Sequence, residues 1–259
     1  MTAAADWWAT GITRMAPGEL ALRGVPIQDL IGKVDLVSMV WLLLRGELPG
    51  KGQAALLEAA LVASVDHGPQ APSIAIARMT ATCGVGLNNA MASGINALGD
   101  SHGGAGQQCV EILADILARE RAGLTLDVAT AEVITEHRSR NRYVPGFGHR
   151  FHPVDPRRGP LLDLVDHAVA DGVVAGHHAR AARAVEALLN RDRTRPIPMN
   201  IDGATAVIYA ELGFAPELAR GLFVLSRSVG ILAHAWEETT GGRRNKGPIP
   251  RSILPTYER

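Results

Sequence analysis

Gly103-Gly104-Ala105-Gly106-Gln107-Gln108-Cys109-Val110-Glu111-Ile112-Leu113-Ala114-Asp115-Ile116-Leu117-Ala118-Arg119 is the most regular stretch of this 259-residue chain. Cys109, Ile112, Leu113, Ile116 and Leu117 recur at helical spacing on one face, while Glu111, Asp115 and Arg119 fall elsewhere. That pattern predicts an amphipathic helix beginning after Gly104 and ending near Gly123. Towards the N-terminus, residues 73–98 are dominated by Ala, Gly, Ser, Thr, Met and Asn, which predicts helices with small faces and close backbone approach. A helix from Gln53 to about Val65 precedes them. Before it, Asp35 is placed to cap a helix carrying Leu36, Val40, Leu43 and Leu44, with Gly46 and Pro49 as stop signals. Pro17-Gly18 predicts a turn between two short strands within residues 11–26. Towards the C-terminus, helices are expected at about 127–138, 160–171, 175–190 and 202–212, then from Pro216 to roughly Glu238. About nine helices with almost no alternating pattern beyond residue 26 make the fold class all-α with a short N-terminal hairpin.

With 47% hydrophobic and 20% charged residues, the chain can bury a sizeable core. Twenty-six basic residues balance twenty-six acidic ones, so no global field recruits nucleic acid or an anionic membrane. Two cysteines, Cys83 and Cys109, do not make a disulfide framework, and a reducing, cytoplasmic setting is expected. No window approaches eighteen uninterrupted apolar residues, and the first residues lack a signal-peptide pattern.

Arg142 to Arg158 holds two glycines, three prolines, two histidines and four arginines in seventeen residues. That density predicts a shaped loop with exposed backbone amides and cations suited to an anionic ligand. RNA is disfavoured as that ligand, since Tyr143, Phe147 and Phe151 are the only nearby stacking aromatics. A metal at His149 and His152 is disfavoured by Pro153 and the absence of a partnering Cys or Glu. Elsewhere each polar position has two readings. His67 is a helix-terminal histidine or a ligand. His102, ahead of the amphipathic helix, is exposed beside an Asp or Ser cap, or is a neutral imidazole facing a carbonyl. Asp202 caps a helix or acts chemically. Arg227, in an apolar run, meets an internal carboxylate or a ligand's. His167, His177 and His178 read as surface residues. Taken together, the set fits enolisation of a thioester opposite a polycarboxylate, which needs a carboxylate base, a polarised carbonyl and paired arginines.

At these residues the sequence resembles the citrate synthase superfamily. The matching stretches run in order: Leu22–Leu30, Leu42–Pro49, Asp66-His67, Ser101–Gly104, Pro145–His149, Asp155–Arg157, Asn200–Asp202 and Ser226–Gly230. Only sixteen residues separate Pro49 from Asp66. This trimming is similar to citryl-CoA lyases and to the C-terminal module of ATP-citrate lyase.

The resemblance implies one citrate synthase-like unit over 1–259, a large helical domain with a reduced small domain within about 142–225. It implies that Asp202 is the base for the acetyl-CoA methyl, that His102 holds the enol oxygen, and that His149 serves the other reactant's carbonyl or hydroxyl. His67, Arg157 and Arg227 would hold carboxylates. The backbone of Val144, Pro145, Gly146, Phe147 and Gly148 would receive the adenine end of CoA, and Arg150 its phosphates. The CoA thioester enters as substrate, with no bound cofactor and no metal. Members work as homodimers that borrow an arginine from the partner chain, for which Arg243, Arg244 and Arg251 are the tail's candidates. The reaction implied is cleavage of citryl-CoA to acetyl-CoA and oxaloacetate, with a citrate or 2-methylcitrate synthase as the alternative. A catalytically silent CoA-binding relative is the second alternative, and the presence of His102, His149 and Asp202 counts against it. Whether a separate ligase supplies citryl-CoA is left open.

Overall fold

The computed structural model describes residues 6–140, 143–148, 154–247, 250 and 252–258. His149, Arg150 and Arg251 therefore lie outside the described residues, and the expectations placed on them are not addressed by it. The chain divides into two compact units, Met1–Glu58 and Ala59–Arg259.

In the first unit, strands β1 (Thr13–Ala16) and β2 (Glu19–Leu22) pair antiparallel with Ala16 opposite Glu19. Pro17-Gly18 is thus the two-residue connection, and Gly18 takes φ +78° there. A third strand, β3 (Val25–Pro26), extends the sheet in the order β1-β2-β3. One helical turn, α1 (Ile27–Leu30), leads to α2 (Leu36–Arg45). Asp35 caps α2 by accepting from the Ser38 N–H at 2.7 Å, and Gly46 closes it in the left-handed conformation. Helix α3 (Lys51–Ser64) crosses the boundary between the units.

The second unit is helical: α4 (Pro72–Ala81), α5 (Leu87–Asn96), α6 (Ala105–Arg121), α7 (Leu126–Arg140), α8 (Arg158–Ala170), α9 (His177–Asn190), α10 (Ile201–Glu211) and α11 (Pro216–Thr240). The expected helices are all present, with ends shifted by a residue or two. The small residues of 73–98 produce the close packing that their size allows. A Cβ on Gly94 would stand 2.8 Å from the Ser73 carbonyl oxygen, so α5 lies against α4 with no room for a methyl. Ala71, Ile74, Ala77, Ala90, Ile231 and Ala235 form the core between α4, α5 and α11. The face read on the amphipathic helix is the buried one, with Cys109, Leu113 and Ile116 wholly inside.

By length and composition α11 is apolar enough to cross a bilayer. Here it packs on α4, α5 and α6 and carries two buried charged residues, Arg227 and Glu238. Helix α9 is capped from another helix: the Glu211 carboxylate accepts from the N–H groups of Gly176, His178 and Ala179. His178 lies half-buried with Nδ1 3.7 Å from Glu211, so its reading as a surface residue is corrected. His167 and His177 are exposed. Beyond α11 the tail has no core of its own, and it crosses the end of α4, where Asn245 and Lys246 donate their N–H groups to the Thr82 carbonyl and hydroxyl.

Candidate active site

The glycine-rich loop is tied to the start of α10. Gly148 N–H donates to the Pro198 carbonyl at 2.7 Å, Asn200 N–H donates to the Gly146 carbonyl at 3.0 Å, and the Asn200 amide donates to the Gly148 carbonyl at 2.7 Å. Phe147 N–H turns onto the Val144 carbonyl, and both side chains are buried. The loop was expected to expose its amides; those of Phe147 and Gly148 are instead taken by the Val144 and Pro198 carbonyls. Glycine is required where the loop meets the helix. Gly146 has φ +84°, and a Cβ there would stand 2.7 Å from Cys109 Sγ, while a Cβ on Gly203 would stand 2.3 Å from the Gly146 carbonyl oxygen. Gly203→Ala is accordingly expected to cost about 1–3 kcal/mol by overpacking, read by chemical denaturation. An unchanged midpoint would mean that the loop is not seated on α10.

Asn200, not Asp202, caps α10: its side-chain oxygen accepts from the N–H groups of Asp202 and Gly203 at 3.0 and 3.2 Å. The capping reading of Asp202 is therefore corrected, and its carboxylate is left with no structural task in the cap. Burial raises its pKa above the ordinary carboxylate value, Asp155 adds to that, and Arg227 and Arg157 oppose it. The same burial, with Asp202 nearby, pushes the Cys109 thiol up to about 12, so Cys109 is an inert packing residue.

Arg157 reaches this place through Asp155. The fully buried Asp155 carboxylate accepts the Arg157 fork, Nε and Nη2 each at 2.9 Å, and also the Arg157 and Ile201 N–H groups. Burial works to raise the Asp155 pKa, but these donors hold it below the usual carboxylate value. Two of the three guanidinium nitrogens of Arg157 are thus committed to orienting it, and Nη1 lies 3.4 Å from the Ala63 carbonyl.

His102 is not exposed beside a cap. Its Nε2 lies 3.1 Å from the Ser73 N–H and 3.0 Å from the Ser73 hydroxyl. An amide N–H can only donate, so Nε2 must be the acceptor and the neutral ring carries its proton on Nδ1. Burial, then the positive charge of Arg227, lowers the His102 pKa and keeps the ring neutral. The neutrality expected from the helix that follows His102 comes instead from these two causes.

Arg227 is 4% exposed, lies with its guanidinium carbon 4.8 Å from the Phe223 ring centre, and donates Nε–H to the Ser64 carbonyl at 3.1 Å. Among the described residues it forms no ion pair with a carboxylate, so the internal salt-bridge reading is corrected. Burial lowers its pKa, with Asp202 and Asp66 pulling the other way. Asp66 and His67 form the turn after α3, where Asp66 accepts from the Gly68 N–H at 3.1 Å. His67 is half-buried.

The charge of Arg227 is felt at both His102 and Asp202, and the charges of Arg157 and Asp155 at Asp202, so these groups are neighbours. A cavity of about 780 Å³ runs along α6 and α7 and reaches Ser101 and Pro145. Its walls carry Glu111, Asp115 and Glu136, the latter two bound to Arg119, together with His137 and Arg140. In the tail, Arg243 lies 3.5 Å from Glu238.

Three residues that organise the site went unread as such in the sequence. Asn200 was legible, since an asparagine two residues before Asp202 has capping spacing. Ser73 was not, because it acts on His102, remote in sequence, and of the two ties that Asp155 makes, the one to Arg157 is local but the one to the Ile201 N–H is remote.

The family description "Citrate synthase, C-terminal domain" matches residues 50–251. Among curated proteins, ATP-citrate synthase subunit 1 of Sordaria macrospora is 29% identical over 93% of this chain, which spans 37% of that relative's length. Citrate synthase of Deinococcus radiodurans is 30% identical over 78% of this chain and 52% of its own. Among solved structures, citryl-CoA lyase from Hydrogenobacter thermophilus superposes with a TM-score of 0.83 at 30% identity, covering 97% of this chain and 95% of that one. The chain belongs to the citrate synthase family.

Proposed function

We propose that the protein cleaves citryl-CoA to acetyl-CoA and oxaloacetate through an acetyl-CoA enolate. The observation that carries this reading is Arg227, a buried guanidinium that pairs with no carboxylate among the described residues, near a carboxyl of raised pKa and a histidine whose Nδ1–H is the available donor. Such an arginine is costly unless a ligand carboxylate arrives. The likeness in length and sequence to a citryl-CoA lyase supports the lyase direction.

His149 takes the hydroxyl proton of citryl-CoA, and the oxygen's electrons form the carbonyl of oxaloacetate. The carbon–carbon pair moves to the acetyl carbon. The oxygen of the resulting enolate is held by His102 Nδ1–H, and Asp202 gives its proton to the methylene carbon. A half-buried carboxyl of raised pKa is suited to carrying that proton. Arg227, Arg157 and His67 hold substrate carboxylates. The Val144–Gly148 loop and Arg150 receive CoA, segment 142–225 is the counterpart of the family's small domain, and the working form is a homodimer.

A citrate synthase is the second reading, favoured by the family description that matches the chain. The same groups run the condensation backwards, and only thioester hydrolysis distinguishes the overall reaction. Purified protein given citryl-CoA decides between them. Oxaloacetate with acetyl-CoA is the expected result; citrate with free CoA thiol indicates the synthase, and formation of neither pair overturns both.

A further inference from the structure

One face of α11 grips the end of α3 and the turn that follows. Ser226 donates its hydroxyl to the Leu61 carbonyl at 2.5 Å, and one residue on Arg227 donates to the Ser64 carbonyl. One turn further, a Cβ on Gly230 would stand 2.3 Å from the Val65 carbonyl and 3.0 Å from an Asp66 carboxylate oxygen, so only glycine admits the turn. At the next turn His234 Nε2 lies 3.2 Å from Asp66 Oδ1. Its other nitrogen, Nδ1, lies 2.7 Å from Arg78 Nη1. A guanidinium N–H can only donate, so Nδ1 must accept and the proton sits on Nε2, beside a buried Asp66 oxygen that takes no well-aligned hydrogen bond from any described residue.

Arg78 is itself fixed. It pairs with Glu237 and with Glu238, whose side chain is fully buried and whose Oε1 also takes Lys246 of the tail. Five residues thus form a line from the tail to the substrate turn: Lys246, Glu238, Arg78, His234 and Asp66. None of the first four is among the groups assigned to the chemistry. The line ends at the turn that carries His67 and that borders Arg227.

We infer that His234 is a positioning residue: held in one tautomer by Arg78, it fixes Asp66 and thereby sets where the 64–68 turn and Arg227 meet the substrate carboxylates. This rests on the reading of Arg227 as a carboxylate holder. Asp66 stays ionised in this arrangement, because although burial opposes it, the Gly68 N–H and His234 hold its pKa low.

The test compares His234→Ala with His234→Gln, whose amide N–H reaches the position of Nε2. Calorimetric Kd for oxaloacetate and for CoA, and the KM of each substrate, are measured on both and on the wild type. His234→Ala is expected to weaken oxaloacetate about tenfold, as small misplacements of a holding group do, with CoA unchanged and with His234→Gln near wild type. Equal behaviour of the two variants, or CoA weakened alongside oxaloacetate, would overturn the inference. If His234→Ala does not fold, His234→Asn replaces it, since asparagine still accepts from Arg78 but cannot reach Asp66; it is expected to be as weak as alanine, and an asparagine variant matching glutamine overturns the inference. Wild-type protein that binds oxaloacetate without turning over would sink the proposed reaction and leave this comparison decisive. Wild-type protein that binds no dicarboxylate overturns both.

Discussion

Asp202→Ala is expected to abolish turnover, lowering kcat by about 10²–10⁴-fold, the range that a positioned acid–base group supplies. The protein should remain folded and still bind CoA. Both halves follow from the start of α10. Asn200 supplies the cap, so removing the Asp202 carboxylate takes away no hydrogen bond that closes the helix. It also relieves the burial that raises the pKa of that carboxyl. The loop assigned to CoA is held by Gly146, Gly148, Asn200 and Pro198, none of which uses the Asp202 side chain. Steady-state turnover, calorimetry with CoA and a thermal melt are the three measurements. Turnover within tenfold of wild type would remove Asp202 from the mechanism.

Arg227→Ala is expected to weaken oxaloacetate by about a hundredfold or more, the cost of leaving a desolvated carboxylate without its partner. A second effect has a definite sign. Arg227 lowers the pKa of both Asp202 and His102, so its removal lets both rise. In the condensation direction Asp202 must be ionised and His102 neutral, and each condition is then met only at higher pH. The acid limb of the pH–rate profile should therefore move to higher pH in the variant. Arg227→Lys restores the charge but neither the planar fork nor the Nε–H that Ser64 receives, so it should recover the pH profile better than the affinity. An alanine variant with wild-type affinity and an unmoved profile would show that Arg227 is a packing residue.

The helices were legible because their signals are local. Asp35 and Gly46 bound α2 at the residues where the chain turns, and the apolar face of α6 is the face that is buried. The close approach of α4 and α5 was written in their small residues. His178 was misread because the partner that buries it, Glu211, comes from a helix more than thirty residues later. The site was legible as a set of residue types and less so as an arrangement. Asp202 looked like a cap because it begins a helix, yet the cap is Asn200. Arg227 looked like half of an internal ion pair because its apolar surroundings demand compensation, and sequence cannot say that the nearest protein acceptor is the Ser64 carbonyl.

By itself, then, the sequence determined which segments are helical, where they stop, and which acid–base and cationic side chains are at hand for the proposed chemistry. Those properties depend on spacing, capping and side-chain type within a few residues. Only the tertiary structure decided the tautomers of His102 and His234, the tie of Asp155 to the Ile201 N–H, and the lack of an ion pair for Arg227 among the described residues. Each of these is set by a donor or acceptor that lies far away in the chain, and hydrogen-bond direction is fixed only when both partners are in place.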